Sequence, residues 1–317
     1  SLTNLADLKI NDTNFTNSFL IQTDSDGSAP TFTDTLNNAN NNIGIGKDIF
    51  TDLTSGTDNI IIGDDLGHNI SSGSNNICIG RRAGRGLTTG NNNIIFGHLA
   101  GCMIGAASHN VYMGYSAGQM MCCKGNIGIG CCALHGSGIA SNNNGCFNIG
   151  IGELALGYSL TSGKYNIAFG VNSGRCVSSG LHNITIGHDA GRGLTTGEEN
   201  ILIGRGAGSD ANTITGCRTT VLAHTAGGSL TSAFKNVFIG DNAGCEVTTG
   251  GRNTFIGSYA GKCQTTGSYN VILGCSAGQT ILYEGSNQLA IGCKDCNWIV
   301  GNANFNVGIG TTNPEPA

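Results

Sequence analysis

The side chains best able to do chemistry in this 317-residue chain are its fourteen cysteines, seven histidines and twenty acids. Cys122-Cys123, Cys131-Cys132 and the C-x-x-C of Cys293 and Cys296 have the local spacing of zinc ligands. No second C-x-x-C and no histidine stands at zinc-finger distance from them. Scattered free thiols or a few disulfides fit better, with Cys275 and Cys293, and Cys245 and Cys263, as candidate pairs on neighbouring repeats. His68, His98 and His188 do not recur in one slot, and Asp64, Asp65, Asp189 and Asp241 fall where polar turn residues are expected anyway. A nucleophile, a base and an orienting group are not visibly gathered. Two carboxylates on adjacent repeats could still form a glycosidase pair. The string GYSLTSGK ending at Lys164 has five residues between its glycines, where a phosphate-binding loop has four, and lacks the following Ser or Thr. The reading is therefore of a chain that is not an enzyme and carries no metal or cofactor.

What positions these residues is a repeat. GRGLTTGNNNIIFG at 84 to 97 returns at 191 to 204 as GRGLTTGEENILIG. Aligning on the glycine that closes each apolar triplet gives anchors from Gly46 to Gly310, mostly 17 residues apart, with His224 filling the slot between Gly204 and Gly240. Sixteen anchors at this period predict an all-β fold, a β-solenoid (β-roll or β-helix) of about sixteen coils of about 17 residues. Triplets such as NIIIG, NICIG and NVYMG alternate with period 2, which predicts a short strand, and the expectation is that its first and third residues (Ile94, Phe96, Ile201, Ile203) face the interior. A second apolar slot (Leu53, Ile70, Leu87, Ile104, Val177, Leu194, Val247) and a small one (Ala83, Ala100, Ala117) complete the inside, and the glycine of each TG or SG is expected at positive φ. The recurrent Asn before each strand (Asn59, Asn76, Asn93, Asn110) is expected to form an amide ladder along the axis.

Composition agrees. Fifty-three glycines with three prolines exclude collagen, and 39% hydrophobic residues with 11% charged ones exclude a disordered linker. A net charge of −5 without basic blocks speaks against nucleic acid, and no apolar run reaches the ~18 residues of a membrane span. The expected organisation is a leader or cap over 1–40, a repeat domain over 41–292 and a short-repeat cap or connector over 293–317, with Trp298 as a plug. Two departures from the period, one between Gly130 and Gly152 and one after Gly204, should bulge as loops. Their polar residues and one aromatic (His135, Asn142, Asn143, Asn144 and Phe147 in the first; Asp210, Asn212 and Arg218 in the second) are the candidate receptor contacts.

GNNNIIFGHLAG, LTTGEENILIG and the terminal NFNVGIGTTNPEPA resemble the repeat region of bacteriophage and other viral tail-fibre or tail-spike proteins. In that family VGIGTTNP leads into an endosialidase-type intramolecular chaperone. The repeats are also similar to those in the heads of trimeric autotransporter adhesins, with a longer period and more cysteine. The resemblance implies an extracellular homotrimeric fibre on a virion or cell surface, with itself as a partner, attached to a host-surface glycan or protein, and with no cofactor. Two other functions fit the repeat alone. An ice- or crystal-binding solenoid would use the Thr88-Thr89, Thr195-Thr196 and Thr248-Thr249 ranks. A polysaccharide depolymerase would use the acids.

Overall fold

A computed structural model describes residues 8–12, 14–23, 36–67, 69–138, 143–209, 213–278, 285–294, 296–304 and 306–310. They form two compact units, residues 1–162 and 163–317. Among the described residues all the regular structure is β-strand. In the first unit, β1 (Leu8–Asp12) and β2 (Phe15–Thr23) make an antiparallel hairpin. The chain then winds through β3 (Ile43–Lys47), β4 (Ile60–Asp64), β5 (Ile77–Ile79), β6 (Ile94–Phe96), β7 (Val111–Met113), β8 (Ile127–Ile129) and β9 (Ile149–Ile151). Each pairs in parallel with the next, and β2 pairs in parallel with β3, so the leader supplies a strand to the stack. The second unit repeats the scheme from β10 (Ile167–Phe169) through β11 (Ile184–Ile186), β12 (Ile201–Ile203), β13 (Thr220–Leu222), β14 (Val237–Ile239), β15 (Thr254–Ile256) and β16 (Val271–Leu273) to β17 (Leu289–Cys293). There the winding stops. β18 (Cys296–Gly301) and β19 (Val307–Ile309) add as antiparallel strands.

The fold is thus a parallel β-solenoid of about fourteen turns. The sixteen anchors overcount it, because Gly310 follows an antiparallel strand and opens no coil. Trp298, expected as a plug, stands on β18 at 66% exposure.

The strand faces are the reverse of the expectation. Ile95 and Leu202, the middle residues, are buried at 0% and 1%, while Ile94 is 39% exposed and Phe96, Ile201 and Ile203 are half-buried. A period of 2 shows which residues share a face but not which face is inward. The physical reason lies in volume. The interior takes one side chain per coil from each strand, and neighbouring coils compensate for one another's size, so the inward position varies widely. Tyr112 is fully buried over Gly128 in register, and a Cβ at Gly118 would come 2.2 Å from its ring. Phe238 and Phe255 instead stack, with centroids 5.0 Å apart.

The rest of the interior is as the slots predict. Leu53, Ile70, Leu87, Ile104, Val177, Leu194 and Val247 are fully buried, as are Ala83, Ala100 and Ala117. The second apolar slot forms a bent corner, with one isolated bridge between Leu194 and Ile214. The Asn residues form the ladder. Asn59, Asn76, Asn93 and Asn110 are 0% exposed, and each of the last three donates its Nδ2 to the Oδ1 of the Asn before it, at 2.9 to 3.1 Å. The TG glycine serves close approach instead of positive φ: a Cβ on Gly90 would lie 2.1 Å from the carbonyl oxygen of Ala107 in the next coil.

The anchor slot holds a second correction. Leu222 pairs with Ile203, so the residue level with Gly204 is Ala223, and His224 lies one place beyond. Anchor glycines sit near φ +125°, as Gly97 does, and Ala223 is held at +124°, where side chains are rare. Ala223→Gly should therefore stabilise the second unit by about 1 kcal/mol, the relief of strain exceeding the entropy that glycine adds to the unfolded chain. Urea unfolding of the variant tests this, and a lower midpoint would show that the slot is unstrained.

Candidate functional site

Three surfaces are candidates: the two insertions, the turn that follows each strand, and the outer face of the sheet. In the first insertion, Asn143 is 0% exposed. Its Oδ1 accepts hydrogen bonds from the Ser137 backbone N–H (3.1 Å) and hydroxyl (2.7 Å), and its Nδ2 donates to the carbonyls of Met120 and Ser137. Its amide holds the loop together and is not open to a receptor. Asn144 and Phe147 remain at the surface, Phe147 at 41% exposure with the Lys124 ammonium 5.9 Å from its ring centre. The His135 ring lies 4.6 Å from that of Tyr158. Asn142 lies outside the described residues.

The second insertion is partly a core element. Ile214 is 4% exposed and bridges Leu194, so the insertion supplies its own residue to the apolar slot. Asp210 and Asn212 fall outside the described residues. Arg218 is exposed and donates through Nε to Glu199 at 2.7 Å. That hydrogen bond, followed by the guanidinium charge, holds the Glu199 carboxyl below its ordinary range.

The thiols rearrange the expected pairing. Cys275 and Cys293 do stand level on neighbouring coils, but both are free, as are Cys245 and Cys263. Stacked residues keep their Cβ atoms about 4.8 Å apart, wider than the ~3.8 Å a disulfide prefers. The disulfide joins Cys123 to Cys146 and ties the first insertion at its base. The sequence signal for it was position, since Cys123 lies shortly before the 22-residue step from Gly130 to Gly152 and Cys146 near its end. Burial pushes the Cys78 thiol up to about 12. Alkylation of the native protein at pH 8 should thus mark Cys275 and Cys293 within minutes and leave Cys78 unmodified until the chain is unfolded. Rapid labelling of Cys78, read by peptide mass, would contradict the interior assigned to its strand.

After β11, β12 and β13 the turns form a polar cleft of about 200 Å³ lined by His188, Asp189, Arg205, Ser209, His224 and Thr225. Asp241 Oδ1 lies 2.9 Å from His224 Nδ1, and Thr225 Oγ1 lies 3.2 Å from His224 Nε2. An acid, an imidazole and a hydroxyl in line have the order of an acyl-transfer triad. The setting is that of a solvated surface network. The His224 and Asp241 side chains are 51% and 45% exposed, and the nearby N–H groups of Gly206 and Thr225 donate to the carbonyls of His188 and Arg205, not to a vacant oxyanion position. In the first unit a cleft of about 340 Å³ runs past Asn69, Arg85 and Met103. Among the described residues, no three His, Cys, Asp or Glu converge as metal ligands, and no helix is long and apolar enough to cross a membrane.

The first threonine of a pair is engaged from within, while the second, as at Thr89, Thr196 and Thr249, is exposed. The hydroxyls of Thr54, Thr195, Thr231 and Thr248 donate to carbonyls of the next coil at 3.0 to 3.3 Å, which ties them to the stack. The outer sheet face is the surface that sequence reasoning missed. It carries Ile43, Ile45, Ile94 and Met113 in the first unit and Phe169, Ile186, Ile256 and Val271 in the second, each between 36% and 41% exposed. The signal was the constancy of branched and large apolar residues at the first and third strand positions. No protein family, no characterised protein and no solved structure matches the chain.

Proposed function

We propose that the chain is a non-enzymatic structural segment of an extracellular fibre, on a virion or cell surface, that associates with copies of itself and attaches to a host-surface glycan or protein. The observation that supports this best is the apolar outer face. The coils from β3 to β17 each set two large apolar side chains on it, except that Thr220 and Thr254 take the first position in β13 and β15, in register with those of the coils before and after. Monomeric proteins in water rarely keep so long an apolar strip uncovered. Copies of the same chain present the same strip with the same rise per coil, so a closed symmetric assembly covers all of them at once. A homotrimer is the assembly that the tail-fibre resemblance implies.

Sedimentation equilibrium on the intact chain tests the reading. A mass three times 32.3 kDa is expected. A monomer at micromolar concentration would remove the self-associating fibre from consideration.

A further inference from the structure

In each coil the residue before the buried ladder Asn is held at left-handed φ and points to solvent. Arg218, Lys235, Arg252 and Tyr269 have φ between 56° and 62°, and all are exposed. The Lys235, Arg252 and Tyr269 amides donate to carbonyls of the preceding coil, which fixes one such residue per rung, about 4.8 Å apart. Three successive rungs therefore carry cations, in a chain with fifteen Lys and Arg and a net charge of −5.

The arrangement is organised beyond charge. The Arg252 guanidinium lies 5.1 Å from the Phe234 ring centre and 5.0 Å from that of Tyr269, and it donates to the Tyr269 hydroxyl. Two aromatic planes thus hold it in one orientation while it stays exposed. Lys235 makes no ion pair among the described residues. Like charges on adjacent rungs repel and contribute nothing to the fold. No packing or capping demand selects cations here, since the same slot holds Asp58, Asn75 and Asn92 in the first unit.

We infer that Lys235, Arg252, Phe234 and Tyr269 form a binding site for a linear acidic polysaccharide. The cations would meet its carboxylate or sulfate groups, and the exposed aromatic faces would stack on its sugar rings. The inference rests on the attachment reading above, gives its ligand a chemical class, and moves the contact from the insertions to a repeating corner. A nucleic acid fits less well. Two unpaired cations neutralise few phosphates, and Glu199 lies at the near end of the same rank with Glu198 beside it.

The test is binding of the full chain to immobilised heparin, hyaluronan, neutral dextran and single-stranded DNA, alongside adsorption to host-type cells. The wild type should bind heparin or hyaluronan, with affinity falling as salt rises, and should ignore dextran. Lys235→Gln with Arg252→Gln should weaken binding at least tenfold. Tyr269→Ala, which keeps every charge, should weaken it several-fold. Arg192→Gln, an exposed cation off the rank, should change nothing, and unchanged unfolding midpoints show that all variants are folded. Equal binding by the double variant, equal binding to dextran, tighter binding to DNA, or no polysaccharide binding at all each overturns the proposal. Cell adsorption separates the two readings. If it persists undiminished in the double variant, attachment stands and this site falls. If the wild type binds polysaccharide but not cells, this site stands and attachment falls.

Discussion

Ile95→Asp is expected to unfold the coils around β6, whereas Ile94→Asp, one residue away, should leave the chain folded and remove its self-association. Ile95 is 0% exposed and lies between Cys78 and Tyr112 in register, both also 0% exposed. A carboxylate there loses the burial of an isoleucine, worth about 1.5–3 kcal/mol. It also has no cation within a dry interior, and the sum exceeds about 4 kcal/mol. Ile94 already has 39% of its surface in water, so a charge there costs the isolated chain about 1 kcal/mol or less. If copies cover that face, the same charge is buried in every interface, and the assembled mass should collapse towards 32.3 kDa. Thermal unfolding and sedimentation of the two variants separate these effects. Severe unfolding by Ile94→Asp with a tolerant Ile95 would restore the opposite strand orientation.

How much of this was legible follows from what a repeat can encode. The period, the strands, the alanine slot, the second apolar slot and the Asn ladder could all be read, because every coil must meet the same backbone demand at the same place. Strand orientation could not, because apolar residues at positions one and three suit either face. The discriminating feature was variance. Tyr112 beside Gly128 tolerates no fixed size at the inward position, while the outward positions stay Ile, Val, Leu, Phe or Met except at Thr220 and Thr254. The slot of Ala223 was misread because glycine was used as the ruler, and the ruler fails at the one coil where an alanine is forced to φ +124°. Of the candidate contacts, Asn143 was taken for a surface amide because a loop rich in Asn looks solvent-facing. That amide is bonded instead to the Ser137 carbonyl of the loop and to the Met120 carbonyl of the preceding coil. The Lys235 to Tyr269 rank is visible only once coils are stacked, since its members lie 17 residues apart in sequence.

The ladder yields the other large effect, and with it a repair. Asn93 Nδ2 donates to Asn76 Oδ1 and to the carbonyl of Ala107, both at 2.9 Å, and its Oδ1 accepts from the N–H and Nδ2 of Asn110 at 3.0 and 3.1 Å. In Asn93→Ala the Asn110 N–H, the Asn110 amide and the Ala107 carbonyl each lose a partner away from water. At about 1–3 kcal/mol for each of these three buried polar groups left unpaired, the loss should total about 3–9 kcal/mol. The chain already contains a milder break. Thr219 occupies the ladder position of its coil at 2% exposure. Its N–H still donates to Asn200 Oδ1 at 3.0 Å, but its hydroxyl receives the Asn236 N–H only at 3.5 Å. A threonine also has no amide to donate onward to the carbonyl fourteen residues along, as Asn183 does to Gly197 and Asn236 to Gly250. Thr219→Asn should therefore join the two halves of the second unit's ladder and raise stability by about 1–2 kcal/mol. The two variants must move the denaturant midpoint in opposite directions. A destabilising Thr219→Asn beside a neutral Asn93→Ala would mean that the coils are held by their apolar slots alone and that the amides merely fill space.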